Sequence, residues 1–240
     1  MKNYLFILLI CLGCASKKEI VVPKFESKIV SNEKLSCRAI FVDTDKVWLG
    51  MDKGRYGFYD KKKDTLVVKT IQSVSNTTEF RSIAATKDAI FILAVGNPAK
   101  LVKIDKKSLQ ETIVYQEENE KVFYDSMQFV DNLNGFAMGD PTEDCLSFIK
   151  TTDGGNSWEK ISCANLPKVS EGEAAFATSN TNLIVKGKSI FMVSGGKKSR
   201  VFVSLDFGTS WQVYETPIVQ GEEMTGIFTA DFYNEKTGII

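Results

Sequence analysis

The sequence contains no histidine, and its 240 residues carry 30 basic against 30 acidic side chains, so it has no net charge. Without imidazole it cannot build a Ser-His-Asp or Cys-His catalytic group, a histidine-ligated zinc site or a histidine pH switch. Without surplus positive charge it has no general electrostatic attraction for nucleic acid. We therefore expect no nucleic-acid partner, and the composition suggests no metal.

The sequence also lacks any stretch of eleven or more residues with apolar side chains at helical spacing. Its 43% hydrophobic content is instead distributed over short apolar runs that are rich in β-branched and aromatic residues. Glycine, aspartate, asparagine or lysine bounds each run, as is typical of short strands separated by turns. The sequence therefore predicts an all-β globular protein.

The apolar runs recur in groups of four. Similar segments begin at positions 38, 81, 125, 174 and 226, and after each of the first four starts come three further runs. Four short strands per unit of about 45 residues is the spacing of a β-propeller blade. We predict about four and a half blades, near 35–70, 80–116, 124–163, 173–216 and 224–240. A two-sheet sandwich would not require the four-strand register to recur.

One motif, [ST]-x-D-x-G-x-S-W, occurs twice, 53 residues apart. It is the Asp-box of BNR repeats, in which the aspartate accepts backbone N–H groups across a tight turn and glycine takes a positive φ. Asp60 and Asp105 occupy the same place in the first two units, in degenerate form. We interpret both full motifs as structural turns between the third and fourth strands, with the key residues Thr151, Asp153, Gly155, Trp158, Ser204, Asp206, Gly208 and Trp211.

The N-terminus has the pattern of an export signal. One lysine precedes an apolar run, and a small residue and Cys14 follow it, as at a bacterial lipoprotein cleavage site. We predict a signal peptide over 1–14, acylation of Cys14 and a tether over 15–33, which would anchor the protein in the bacterial cell envelope. A plain signal peptide that is cut elsewhere is the alternative.

Three cysteines remain after the leader. Cys145 and Cys163 flank the turn at 154–155 almost symmetrically, so a hairpin would place them opposite each other. In an oxidising compartment they would form a disulfide, and otherwise they would be two buried thiols. We expect Cys37 to lie in the core.

The sequence resembles a bacterial family, the YVTN/BNR-like propellers related to the photosystem II stability and assembly factor. The segments that carry the resemblance are 125–129, 139–141, 152–158, 171–177, 199–202 and 226–228. The resemblance implies six or seven blades in full-length relatives, so the sequence would be truncated within the second strand of blade five. A partial ring would expose two apolar faces, and we expect it to be unstable or to associate. Many members are labelled oxidoreductases, but no GxGxxG between a strand and a helix supports a cofactor.

Four of the candidate site residues, Arg38, Arg81, Asp125 and Glu173, open the first strands, which line the central channel of a propeller. Only four arginines are present, and two of them occupy the same repeat position. Two guanidinium groups facing carboxylates could hold an anionic or zwitterionic ligand, or could form a satisfied ring of ion pairs. The candidates are Arg38, Arg81, Asp125, Asp140, Glu171, Glu173 and Arg200.

Three functions remain open. The first is a non-catalytic platform that binds a protein or a cell-envelope ligand, and the second is a purely structural scaffold. The third is a sialidase-like glycoside hydrolase in which Tyr124 acts beside Glu173. A sialidase needs three arginines at the propeller floor, and only Arg38 and Arg81 are available in first strands. We favour the platform.

Overall fold

The computed structural model describes residues 24–176 and 180–240. The predicted signal peptide, Cys14 and the first part of the predicted tether lie outside these residues. Within them, no helix is long and apolar enough to cross a membrane. The described part of the tether is irregular backbone, and the Lys28 ammonium group contacts the Asp64 carboxylate in the first sheet.

Three four-stranded antiparallel sheets follow one another along the chain, each with its strands in sequence order. We call each sheet a blade. The strands of blade 1 are β1 (Cys37–Val42), β2 (Lys46–Met51), β3 (Arg55–Asp60) and β4 (Thr65–Thr70). The strands of blade 2 are β5 (Phe80–Ala85), β6 (Ala89–Ala94), β7 (Ala99–Asp105) and β8 (Glu111–Glu117). The strands of blade 3 are β9 (Tyr124–Phe129), β10 (Gly135–Gly139), β11 (Ser147–Thr151) and β12 (Glu159–Lys160).

Blade 4 is interrupted where its first strand begins. After a short 3₁₀ helix (Cys163–Asn165), β13 (Glu173–Ala174) pairs only with β16 (Gly195–Gly196). The four-stranded sheet consists of β14 (Leu183–Lys186), β15 (Ser189–Val193), β17 (Arg200–Ser204) and β18 (Gln212–Glu215). A last hairpin pairs β19 (Asp231–Asn234) with β20 (Thr237–Ile239).

The predicted starts of the fourth and fifth units therefore need correction. The sequence places the first strand of blade 4 at 174–179, but in the structure that strand is β14. Of the residues between β13 and β14, those described, 175–176 and 180–182, belong to neither the β13–β16 ladder nor the main sheet. The fifth unit starts at 226 in the sequence, whereas its first strand β19 begins at Asp231.

Successive blades enclose apolar cores between them. Between blades 1 and 2 lie Trp48, Tyr56, Phe80 and Ile92, each at most 1% exposed. Similar clusters follow between blades 2 and 3 and between blades 3 and 4, and a smaller one joins blade 4 to the last hairpin. Burying one such side chain stabilises the fold by about 1.5–3 kcal/mol. Face-to-face packing of the blades is thus the main source of stability.

The two matching motifs form the same turn. In the first, Asp153 Oδ1 accepts the N–H groups of Asn156 and Ser157 at 2.9 and 3.1 Å, and Oδ2 accepts the Ser157 hydroxyl at 2.7 Å. Asp206 makes the same three contacts in the second. These hydrogen bonds hold the pKa of both carboxyls at about 2. Their hydrogen-bonding capacity is used locally, so both aspartates are structural.

The degenerate turns of the first two blades keep the aspartate alone. Asp60 Oδ1 accepts the N–H groups of residues 62 and 63, and Asp105 Oδ1 accepts those of residues 107 and 108, at 2.7–3.0 Å. Asp60 and Asp105 end the third strands of their blades, whereas in blades 3 and 4 the third strand ends at the first residue of the motif, Thr151 or Ser204. In all four blades, therefore, an aspartate that accepts backbone N–H groups stabilises the turn of the outer hairpin.

Cys145 and Cys163 form a disulfide with 5.5 Å between their Cα atoms. It links the approach to β11 with the segment after β12, on the two arms of the hairpin whose turn contains the first motif. Cys37 differs from expectation, because it is a free and exposed thiol at the start of β1 rather than a core residue. Its strand lies at the uncovered end of the series of blades.

Both ends of the series expose apolar side chains. Ile40 and Val42, on the face of blade 1 turned away from blade 2, are 61% and 66% exposed. Tyr233 and Ile239 of the last hairpin are 88% and 81% exposed. No blade within the described residues covers either surface.

The first strands of successive blades surround a common channel. A cavity of about 470 Å³ is lined by residues from β1, β5, β9 and β14 together with Asn180 and Thr229–Asp231. A first strand is hydrogen-bonded to another strand along one edge only, so the peptide groups of its other edge face this channel without a strand partner. The side-chain amide of Asn180 forms hydrogen bonds with some of these groups.

Asn180 ties three blades together at the channel. Its Nδ2 donates to the carbonyl of Ile83 in blade 2 at 3.1 Å, and its Oδ1 accepts the N–H of Met127 in blade 3 at 3.0 Å. Asn180 lies just before β14, the first strand of the blade 4 sheet. The residue has a φ of +57°, which asparagine tolerates better than most side chains.

We predict that Asn180→Ala and Asn180→Gly each lower the free energy of unfolding by about 1–3 kcal/mol, because two buried backbone groups lose their partner. Glycine accepts the positive φ, so a loss seen only in the alanine variant would assign the effect to backbone strain and contradict the prediction. Urea unfolding provides the measurement. The exposed Asn165→Ala is the matched control, with a change within about 0.5 kcal/mol.

Candidate functional site

Three of the four polar residues predicted to open first strands share one structural position, and Glu173, the fourth, opens β13. The pairing of β1 with β2 shifts between Cys37 and Ala39, and that of β5 with β6 shifts between Phe80 and Ser82. In blade 3 the corresponding shift skips Asp125. Arg38, Arg81 and Asp125 are therefore the extra residues of three equivalent β-bulges, which re-aim a side chain relative to regular pairing. We call the region around these bulges the channel mouth; the three bulge residues lie outside the 470 Å³ cavity, which later residues of the same first strands line.

The two mouth arginines share one carboxylate. Arg81 Nη2 donates to Glu79 Oε2 at 2.9 Å, and Arg38 Nη1 lies 3.8 Å from Glu79 Oε1. The Arg38 side chain is 42% exposed, whereas those of Arg81 and Glu79 are each 25% exposed. We call Arg38 and Arg81 the arginine pair. It holds two positive charges against one directly bound negative charge.

Arg81 has unused hydrogen-bonding capacity. Its Nε is buried and has no hydrogen-bond partner. Its guanidinium carbon lies 5.8 Å from the centre of the Phe123 ring, within the range of a cation–π contact. The guanidinium group is thus held between Phe123 and Glu79 while part of its donor capacity stays free.

Asp125 is the most unusual group at the channel mouth. Its side chain is fully buried, and neither carboxylate oxygen has a hydrogen-bond partner. Burial raises its pKa well above the ordinary range and the nearby Asp140 carboxyl raises it further, whereas the attraction of Arg81 and the nearby backbone N–H of Asp140 lower it. A buried unpaired carboxylate is costly, so the site favours the protonated, uncharged form.

Asp140 follows β10 and joins blade 3 to blade 4. Its Oδ1 accepts the N–H of Ala175 at 2.8 Å, and burial raises its pKa to about 6. It lines a groove of about 510 Å³ with Lys121, Glu171 and neighbouring residues. Glu171 is exposed on this groove, so the structure brings Glu171 near Asp140 but gives it no contact with the arginine pair.

Glu173 and Arg200 belong to a separate, saturated ion pair. Arg200 donates through Nε to Glu173 Oε1 at 2.8 Å and through Nη2 to Oε2. The Ser194 hydroxyl and the Ser170 N–H complete the shell of the carboxylate at 2.6 and 2.9 Å. The Glu173 side chain is 0% exposed. This pair ties β13 to β17 and leaves no free carboxylate for a ligand.

Tyr124 is likewise committed to a structural network. Its hydroxyl and that of Tyr115 both donate to Glu117 Oε2 at 2.8 Å, and Lys160 contacts the other oxygen of this carboxylate. Burial raises the pKa of the Tyr124 phenol well above its usual value. The network joins β8 of blade 2 to β12 of blade 3. A buried phenol that donates to Glu117 is not prepared to act as a nucleophile beside Glu173.

Of the seven sequence candidates, the structure groups Arg38, Arg81 and Asp125 at the mouth, with Asp140 beside Asp125. It separates Glu173 with Arg200, and it leaves Glu171 exposed. The sequence candidates did not include Glu79 or Phe123, which both lie just before a first strand, outside the repeat alignment.

One further group of potential metal ligands lies outside the mouth. Among the described residues, Glu143, Asp144 and Cys163 place ligand atoms within 4.8 Å of one another. The Cys163 sulfur is already bonded to Cys145, and Asp144 contacts Lys168. Neither group is therefore free to bind an ion.

Comparison with known proteins identifies the fold. No family model and no curated protein matches the sequence. The structure of U3-55K matches with a TM-score of 0.62 and 12% identity, over 87% of this chain and 58% of that one. The RRP9 WD40 repeats match with a TM-score of 0.56 and 11% identity, over 78% and 53%. The fold is a β-propeller.

The chain spans just over half the length of those two propellers. YCF48 bound to D1 peptide also matches over 90% of this chain and 95% of that one, at 10% identity and a TM-score of 0.46. At these identities the comparisons establish architecture alone. The role of the channel mouth must be argued from its own chemistry.

We predict that Arg200→Met lowers the free energy of unfolding by about 3–5 kcal/mol, because it leaves the Glu173 carboxylate buried without its partner. Adding Glu173→Gln to this variant should recover much of the loss. Lys168→Met is the matched control, since its ion pair with Asp144 is exposed and contributes at most about 1 kcal/mol. Urea unfolding of the three variants checks the prediction, which a loss under 1 kcal/mol for Arg200→Met would contradict.

Proposed function

We propose that this protein is a non-catalytic, envelope-anchored β-propeller whose channel mouth binds an acidic segment of a partner protein. The observation that carries the proposal is the imbalance at the arginine pair, where two guanidinium groups share the single carboxylate of Glu79. Arginine binds carboxylates well because its planar fork offers several donors in fixed geometry. An incoming carboxylate would supply the missing acceptor.

The surroundings of the pair favour an anionic ligand over a cationic one. Asp125 favours its uncharged form, so it does not balance the second guanidinium group. Arg38 is the more exposed member and is the first group that a ligand would meet. Phe123 adds an apolar surface beside Arg81. A peptide segment with acidic and apolar side chains matches these three features.

The hydrolase alternative loses the residues on which it depended. Tyr124 and Glu173 each belong to a saturated structural network, and these networks are different. Arg200 is bound to Glu173 and is not available as the third arginine of a sialidase floor. We therefore do not carry this alternative further.

Binding is tested by fluorescence anisotropy with a rhodamine-labelled hexapeptide that contains three glutamates and three alanines and has an amidated end. We predict binding that weakens as salt rises, and an increase in Kd of about tenfold or more in the double variant Arg38→Gln/Arg81→Gln. Lys62→Gln/Lys63→Gln is the matched control, because it removes the same charge from an exposed turn after β3. Equal loss in both variants, or equal binding of a peptide with lysines for glutamates, would overturn the proposed site.

Envelope anchoring rests on the N-terminal sequence, where the apolar run ends at Cys14. We predict that Cys14→Ser moves the protein from the membrane fraction to the soluble fraction of a bacterial host, because its acyl chains provide the attachment. Cys37→Ser is the matched control and should leave fractionation unchanged. Membrane retention of the Cys14 variant would contradict lipid anchoring, while leaving the argument about the channel mouth intact.

A further inference from the structure

Asp125 is a buried acid with no hydrogen-bond partner beside the arginine pair. It is fully buried, and both of its oxygens lack a partner. Buried carboxyl groups in folded proteins are normally paired or bonded, so this one is exceptional. Arg81, at the equivalent bulge of the preceding blade, has its own buried and unpartnered Nε. Two unsatisfied groups of opposite polarity thus lie at the channel mouth.

The charged groups that face Asp125 come from two neighbouring elements. Arg81 of β5 attracts the ionised form, and Asp140, after β10, repels it. Arg81 in turn binds Glu79, which also faces Arg38. The charge state of Asp125 can therefore affect the arginine pair through Arg81. This effect needs no contact between Asp125 and a ligand.

We propose that Asp125 makes anion binding at the arginine pair proton-linked, so that the pair binds tightly when Asp125 is protonated and weakly when it is ionised. This inference rests on the proposed function and names its regulation. Asp125 acts as a positioning and charge-setting residue, since its buried oxygens do not reach solvent. By reciprocity, a bound anion must favour protonation of Asp125, and the complex takes up protons as it forms.

The direction of the pH response follows from the raised pKa of Asp125. As the pH rises through that value, Asp125 gains a negative charge, which offsets part of the positive charge of Arg81. Anion affinity then falls. The fold itself responds in the same sense, because an acid with a raised pKa in the folded state stabilises the fold at low pH and loses that contribution as the pH rises.

The test is the pH profile of binding of the glutamate hexapeptide, whose side chains stay ionised between pH 6 and 9. We expect the Kd of the wild-type protein to rise by about fivefold or more as Asp125 ionises with increasing pH. Asp125→Asn removes the titrating group, so its profile should be flatter. Asp140→Asn keeps an acceptor for the Ala175 N–H and isolates the contribution of Asp140. Asp88→Asn, an exposed residue before β6, is the control and should match the wild type.

Calorimetry of the same peptide in buffers of different ionisation enthalpy measures the protons taken up. Uptake by the wild-type protein that disappears in Asp125→Asn supports the inference. Unchanged uptake and an unchanged pH profile in that variant overturn it, while the proposed function stands. If the wild-type protein does not bind the peptide at any pH, both fail.

Carboxyl NMR of the wild-type protein keeps the inference falsifiable if Asp125→Asn does not fold. The inference requires Asp125 to titrate well above the ordinary aspartate range of about 3.9. Titration in the ordinary range would overturn it, whatever the variants do.

Discussion

The edges of the first strands are the constraint on which this structure depends. Each first strand is bonded on one side only, so its other edge turns unpaired peptide groups towards the channel. Asn180 satisfies two of these groups, on Ile83 and Met127, with a single side chain. Gln128 does the same for the N–H of Val185, at 2.7 Å. The blades are thus joined at the channel by side-chain amides in addition to their apolar faces.

The same strands carry the candidate site because each opens with a bulge. A bulge interrupts regular strand pairing, but it also points one side chain in a direction that the regular alternation of the strand would not allow. In blades 1 and 2 that side chain is an arginine, and in blade 3 it is Asp125. In blade 4 two separate strands, β13 and β14, occupy this place, and Asn180 lies just before β14. The starts of the first strands therefore carry the charged groups of the mouth and, in blade 4, the side chain that links the blades.

Spacing in the sequence predicted the blades well wherever four short runs were separated by ordinary turns, as in blades 1 to 3. It failed for the fourth unit, where the strand aligned at 174–179 is replaced in the sheet by β14. It also failed for Cys37, whose exposure depends on which face of blade 1 is covered. The pairing of Glu173 with Arg200 could not be predicted, because it depends on the ladder between β13 and β16.

Three carboxylates near the channel have separate roles because their surroundings differ. Glu173 has donors for both oxygens and contributes to stability. Glu79 is shared by two guanidinium groups, so it holds the arginine pair without neutralising it. Asp125 has no donor, and the low polarity around it makes its charge costly. The Glu173 carboxylate is fully bonded, whereas both oxygens of Asp125 and the Nε of Arg81 have no partner, and for this reason we propose the channel mouth, not the ion pair of Glu173 and Arg200, as the binding site.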